Sequence, residues 1–218
     1  MQPYFFPYAG YFRLFAAADT FVILDCVQLP RPGWVHRNRF EKANGELDWL
    51  TLPLAKAPYT TRIKDLRFRA DAKKSLETSL RRFPLLNHAY ETGDTLVKTA
   101  LHISSDDVTA HLHCLLAEVT RRLFLDKPMV RSSTLGLPPH LSGQDRVLAI
   151  VENLGGTRYV NASGGRALYD RAAFTRRGIE LQFLAPYAGS MSSVLSRLLT
   201  EPPGGIADEI ARETILQD

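Results

Sequence analysis

Apolar residues recur along this chain at different spacings in its first, middle and last thirds. In the first third they form short runs between turn residues. Phe21-Val22-Ile23-Leu24 is such a run, closed by Asp25, and it predicts a buried strand with a polar residue at its C-terminal end. Leu14 to Asp19 predicts a short helix ahead of it, and Asp48 to Leu54 a second strand closed by proline. Ile63 to Phe68 alternates apolar and charged residues, which predicts a half-exposed strand. The middle third has helical spacing. Asp71 to Phe83, Asn87 to His102 and Asp106 to Leu125 are amphipathic, the last with Val108, Leu112, Leu115, Leu116, Val119, Leu123 and Phe124 on one face. In the last third, short strands return at Met129 to Ser133, Arg158 to Val160 and Ile179 to Phe183. A helix at Gly143 to Leu154 is stopped by Gly155-Gly156. Two helices close the chain, near Ser192–Leu199 and Ile206–Ile215, with Pro202-Pro203-Gly204-Gly205 between them.

Strands and helices thus alternate at both ends. The expected fold is α/β: a Rossmann-like, mostly parallel sheet with an inserted helical block at residues 71–126, all in a single domain of residues 1–218.

Composition narrows the function classes. The two cysteines, Cys26 and Cys114, are too few for a secreted disulfide scaffold, so a cytoplasmic location is expected. No apolar run is long enough to span a membrane, and the first residues do not read as a signal peptide. The net charge is +4 and is spread along the chain, so nucleic acid is not the expected partner. Of the 27 basic residues 20 are arginine, whose planar fork suits carboxylate and phosphate, so an anionic small molecule is expected. A homo-oligomer is left open, and no cofactor is named by these numbers.

Three stretches carry candidate chemistry. Residues 2–12 hold two prolines and six aromatics in eleven positions. Either the rings plug the sheet, or Gln2, Tyr4, Tyr8 and Tyr11 line a pocket. The second stretch holds Asp25, Gln28, Trp34, His36, Arg37, Asn38 and Arg39. Asp25 falls at a strand's carboxyl end, where ligands bind in open α/β sheets. In an extended chain Arg37 and Arg39 share one side, with His36 and Asn38 on the other, and paired guanidiniums suit a diphosphate or a carboxylate. Otherwise the segment is an exposed polar strand. The third stretch, Asn161, Ser163, Gly164, Gly165 and Tyr169, follows a strand. It is either an anion-cradling turn or a tight turn with glycine at positive φ. No metal site is expected: His111 and His113 are two apart on a helix, and His113-Cys114 reads as helix packing.

These residues together resemble the WbqC-like family. The resemblance rests on Gln2-Pro3-Tyr4-Phe5-Phe6-Pro7-Tyr8, Gly10-Tyr11-Phe12, Ala18 to Asp25, Val27-Gln28, Gly33 to Arg39, Trp49 to Pro53, and, more loosely, Gly155 to Asn161, Gly164-Gly165 and Leu168-Tyr169. It implies a bacterial protein of surface-polysaccharide (O-antigen, lipopolysaccharide) or modified-sugar pathways, and in that context the leading expectation is a transferase acting on an amino or nucleotide-linked sugar, for example by N-acyl or aminoacyl transfer. On this reading Asp25 or His36 is the catalytic base, Arg37 and Arg39 hold phosphate, Gln28 and Asn38 orient the substrate, and Gly164-Gly165 cradle a second anion. Family members also carry a few apolar residues ahead of the Gln-Pro motif that read as a first strand, whereas this sequence starts at Met1: either the start is misassigned, or that strand is absent and a sheet edge near the presumed site is exposed. A weaker layout similarity, Tyr8-Ala9-Gly10-Tyr11 followed by a helix and a strand, is to HIGH-type nucleotidylyl transferases, with tyrosines where those enzymes have histidines. Two alternatives remain: an ATP-dependent ligase or nucleotidyltransferase, and a non-catalytic pathway scaffold.

Overall fold

A computed structural model describes residues 1–218. The fold is mixed α/β, with three small sheets and many helices. Two short parallel pairs and a hairpin, rather than one continuous hydrogen-bonded ladder, carry the strands expected from the sequence. Strand β1 (Phe21–Ile23) pairs in parallel with β4 (Met129–Arg131), and β5 (Arg158–Asn161) pairs in parallel with β6 (Glu180–Leu184). An antiparallel edge strand, β7 (Leu216–Gln217), extends the second pair. β2 (Arg37–Glu41) and β3 (Leu47–Thr51) form a separate antiparallel hairpin.

Between β3 and β4 lies the helical block: α2 (Ala72–Leu80), α3 (Pro84–Glu91), α4 (Thr95–Leu101) and α5 (Val108–Arg122). The amphipathic run expected to form one helix from Asn87 to His102 is split. Gly93 takes φ +91° and Asp94 caps a new helix by accepting from the amides of Leu96 and Val97. The strand expected at Ile63–Phe68 is a 3₁₀ turn, Ile63–Asp65, followed by isolated bridges Arg67 to Asp107 and Leu54 to Phe68. Its alternation is real, with Ile63, Leu66 and Phe68 buried, but no continuous partner strand lies beside it.

Toward the C-terminus come α6 (Gly143–Asn153), α7 (Arg171–Thr175), α8 (Val194–Thr200) and α9 (Pro203–Glu213). The Pro-Gly-Gly stretch expected to be a spacer forms the first turn of α9, with Pro203 at the position where a missing N–H costs nothing.

The main core gathers the N-terminal aromatic loop, α1 (Arg13–Ala17), the helical block, α8 and α9. Phe15 stacks on Phe21 at 3.9 Å between ring centroids. A smaller cluster, centred on Phe174, Leu148, Leu181 and Phe183, joins α6 and α7 to β6. His111, not the expected His113-Cys114 pair, carries the packing on α5. His111 is buried edge-on against Phe68, whereas Cys114 is exposed.

Candidate functional site

The N-terminal loop divides its aromatics between two tasks. Phe5, Phe6, Tyr11 and Phe12 are buried in the main core, and the Tyr11 hydroxyl donates to the Gln2 carbonyl at 2.8 Å. Tyr4 and Tyr8 instead line a cavity of about 750 Å³. The loop is held there by strand and helix groups. Asn38 Nδ2 donates to the Phe5 and Phe6 carbonyls, Ser193 Oγ donates to the Phe6 carbonyl at 2.9 Å, and the Val194 amide donates to the Pro7 carbonyl at 2.9 Å. These bonds hold Phe6 in the left-handed region at φ +48°.

The same cavity is lined by Trp34, Asn38, Arg39 and Glu41, by Phe83 and Leu86 from the helical block, and by Ser192, Ser193 and Ser196. The structure therefore brings Tyr4, Tyr8, Trp34, Asn38 and Arg39 into one place. Arg37 adjoins it. The β2–β3 register sets Arg39 opposite Trp49. The guanidiniums of Arg37 and Arg39 lie 4.1 and 4.7 Å from the Trp49 ring centroid, and Trp34 packs on Trp49 at 5.1 Å. The period-two expectation that both arginines share one side holds. Neither has a carboxylate within ion-pair distance, although the chain has 14 such pairs elsewhere. Two cations stacked on an indole, without an anion of their own, can accept one from a ligand.

Asp25 sits at the carboxyl end of β1, as its place after the apolar run predicts, and is fully buried. Its Oδ1 accepts from Ser132 Oγ and the Ser133 amide, both at 2.9 Å. Its Oδ2 accepts from Arg131 Nε at 2.9 Å and Ser133 Oγ at 2.6 Å. A carboxylate offers about four acceptor positions, and all are taken. Asp25 thus locks the ends of β1 and β4 and one side of Arg131, whose other side binds Asp107 at 3.0 Å. Beside it, Cys26 Sγ accepts a hydrogen bond from the buried Arg146 and lies 3.1 Å from Ser132 Oγ, whose single proton goes to Asp25.

His36 is half-buried. Burial, reinforced by the charges of Arg37 and Arg31, pushes its pKa down to about 4, so it is neutral at pH 7. Its Nδ1 is buried without a partner. Gln28 lies apart from the cavity and donates to the Tyr59 carbonyl at 2.9 Å. Gln2 Oε1 is buried and has no partner.

The Asn161–Tyr169 stretch lies on a separate groove, which Asn161 lines. Ser163–Leu168 is a 3₁₀ turn. Neither Gly164 nor Gly165 has positive φ. Gly165 lies tight against Asn161: a Cβ there would be 2.5 Å from its Nδ2, so the Asn161 side chain would have to move. Tyr169 shares hydroxyl contacts with Tyr159 at 3.2 Å and Asn161 at 3.3 Å.

Sequence reasoning missed Ser132 and Ser133. The signal was present, because both follow a short strand just as Asp25 follows its own. The cavity serines near residue 193 carried no signal, because they reach the loop only through the fold.

Residues 2–190 match the WbqC-like protein family. The "Uncharacterized protein Rv1507c" of Mycobacterium tuberculosis (strain H37Rv) is 24% identical over 184 residues, which cover 83% of this chain and 78% of that protein. No solved structure matches. The aromatic loop, the Asp25 strand and the arginine hairpin all fall inside the matched span, and the chain belongs to the WbqC-like protein family.

Proposed function

We propose that this chain is a transferase of bacterial surface-polysaccharide or modified-sugar biosynthesis, acting on an amino or nucleotide-linked sugar by N-acyl or aminoacyl transfer. The observation that carries this reading is the pair Arg37 and Arg39, stacked on Trp49 without counter-ions beside a cavity walled by Tyr4, Tyr8 and Trp34. Aromatic faces suit a sugar ring or a base, and the arginines suit its phosphates. A cavity of about 750 Å³ is in the range of small-molecule sites.

Within this reading His36, which is neutral, is the proton acceptor, a role that requires its ring to turn toward the substrate, because it does not line the cavity and its unbonded Nδ1 is buried. Asp25 is a positioning residue: taking a proton would require one of its four donors to leave. Asn38 orients the aromatic loop. β1–β4 and β5–β6 are taken as two halves of one Rossmann-like sheet, a frame that a nucleotidyltransferase would share. The chain works in the cytoplasm, where nucleotide-linked sugars are made.

Thermal unfolding against nucleotide sugars, acyl-CoA, ATP and AMP tests the proposal. A ligand at about a hundred times its Kd adds ~2.7 kcal/mol, a shift of roughly 5–10 °C for a chain of this size. A nucleotide-sugar shift that disappears in Arg39→Ala is the expected result. A shift with ATP or AMP alone would favour the nucleotidyltransferase reading. No shift on a folded sample would remove the small-molecule reading and leave a scaffold.

A further inference from the structure

The cavity beside the N-terminal loop is lined by two charged side chains, Arg39 and Glu41, and by no others. They carry opposite charges and stand two apart on β2, so they project from the same face of the hairpin with Cα atoms ~7 Å apart. Neighbours of this kind can neutralise each other, yet no ion pair joins them. Arg39 is held on the Trp49 ring instead, 4.7 Å from its centroid, with Arg37 on the same ring at 4.1 Å. Across the hairpin Glu41 faces Leu47, which offers it no charge. The other acids of the hairpin each have a cation: Glu46 pairs with Lys42 and Asp48 with Arg82, both at 2.9 Å. Glu41 has none.

The remaining polar lining is made of hydroxyls. Ser193 and Thr200 donate theirs to the backbone carbonyls of Phe6 and Ser196. Ser192 and Ser196 line the cavity with hydroxyls left to meet a ligand. Ring faces come from Tyr4, Tyr8 and Trp34. The cavity therefore offers a cation, a separate anion, hydroxyls and aromatic surface. A ligand bearing only a phosphate would meet Arg39 as an attraction and Glu41 as a repulsion, and such like-charge juxtaposition is how a site turns away the wrong partner.

We propose that this cavity selects a sugar carrying both an anionic group and a free amine, with the phosphate on Arg39 and the ammonium on Glu41. The inference rests on the sugar-ligand reading above and deepens it: Glu41 is the residue that distinguishes the amine from a hydroxyl or an N-acyl group. An ammonium donates charge-assisted hydrogen bonds to a carboxylate, which a neutral hydroxyl or amide cannot match. Trp49 has a part in this selection, because stacking keeps Arg39 away from Glu41 and leaves both charges open. Acylation of the amine removes its charge. The Glu41 contact then favours the substrate over the N-acylated product, which assists product release. The role of Glu41 is recognition, and it is a specificity residue rather than a catalytic one.

The test is calorimetric titration with UDP-glucosamine, UDP-glucose and UDP-N-acetylglucosamine at about pH 6.5, where an amine of ordinary basicity is protonated. The parent chain, Glu41→Gln and Arg39→Ala are compared. The parent is expected to bind UDP-glucosamine about fivefold to tenfold more tightly than the other two. Glu41→Gln should lose that preference by weakening UDP-glucosamine alone, and its unchanged affinity for UDP-glucose reports that the variant is folded. Arg39→Ala should weaken all three. Equal affinity of the parent for the three sugars, with all three weakened in Arg39→Ala, overturns the role of Glu41 and leaves the sugar-ligand reading standing. A preference for the amine that survives in Glu41→Gln also overturns it, as does a loss in Glu41→Gln shared equally by all three. Binding of none of them by the folded parent overturns the sugar-ligand reading itself, and this inference with it.

Discussion

Replacing Asp25 by asparagine keeps the shape of the side chain and removes its charge, and the surrounding donors set the cost. Each carboxylate oxygen faces one donor that can rotate away and one that cannot. Oδ1 meets the rotatable Ser132 hydroxyl and the fixed Ser133 amide, and Oδ2 meets the rotatable Ser133 hydroxyl and the fixed Arg131 Nε. Whichever way the introduced side-chain amide is turned, its NH₂ points at a donor that cannot yield. Arg131 loses its buried partner and keeps only Asp107. Removing one partner of a buried charged pair costs about 3–5 kcal/mol. With a urea m-value of ~2–3 kcal/mol/M, the unfolding midpoint falls by about 1–2 M, and the melting temperature by roughly 10 °C. Asp107→Asn is the control. Asp107 is partly exposed and leaves Arg131 paired with Asp25, so the loss there should stay under ~1.5 kcal/mol. A parental urea midpoint in Asp25→Asn would refute the locking role. If that stable variant had also lost turnover, Asp25 would be the base after all.

Two further outcomes are expected from the structure. His111 and His36 are both held down to about 4 by burial, so between that value and the unfolded 6.5 the unfolded chain binds protons that the native one does not. Stability is therefore full above about pH 6.5 and falls as the pH drops toward 4. The deeply buried His111 contributes up to ~3 kcal/mol and the more exposed His36 less. Urea titrations at several pH values should show a shallower acid loss in His111→Gln, and an unchanged slope would contradict the assignment. Asn38→Ala leaves the Phe5 carbonyl without its donor and frees the aromatic loop. It should cost about 1–3 kcal/mol by denaturant unfolding and weaken ligand binding at the Tyr4–Tyr8 wall, and a variant as stable as the parent would show that Ser193 alone pins the loop.

The sequence by itself determined the local elements and several site residues. An apolar run ended by a single acid placed Asp25 at a strand's carboxyl end, because the run forms the strand and the acid breaks the apolar pattern, although the acid is itself buried on partners the local sequence does not reveal. Period-two spacing placed Arg37 and Arg39 on one side, because side chains alternate in any strand whatever its partner. The amphipathic middle gave the helical block, though Gly93 and Asp94 cut one helix in two. Only the tertiary structure decided the rest. Whether Tyr4 and Tyr8 line a cavity while Tyr11 is buried depends on which elements fold over the loop, and those come from β2, the helical block and α8. That Asp25 is saturated depends on Ser132 and Ser133, more than a hundred residues away. Sheet order is the clearest case. The runs at β1, β4, β5 and β6 are legible as strands, but pairing is a long-range choice. β1 takes as its partner β4, more than a hundred residues further on, and β5 takes β6, and only the folded chain brings those edges together.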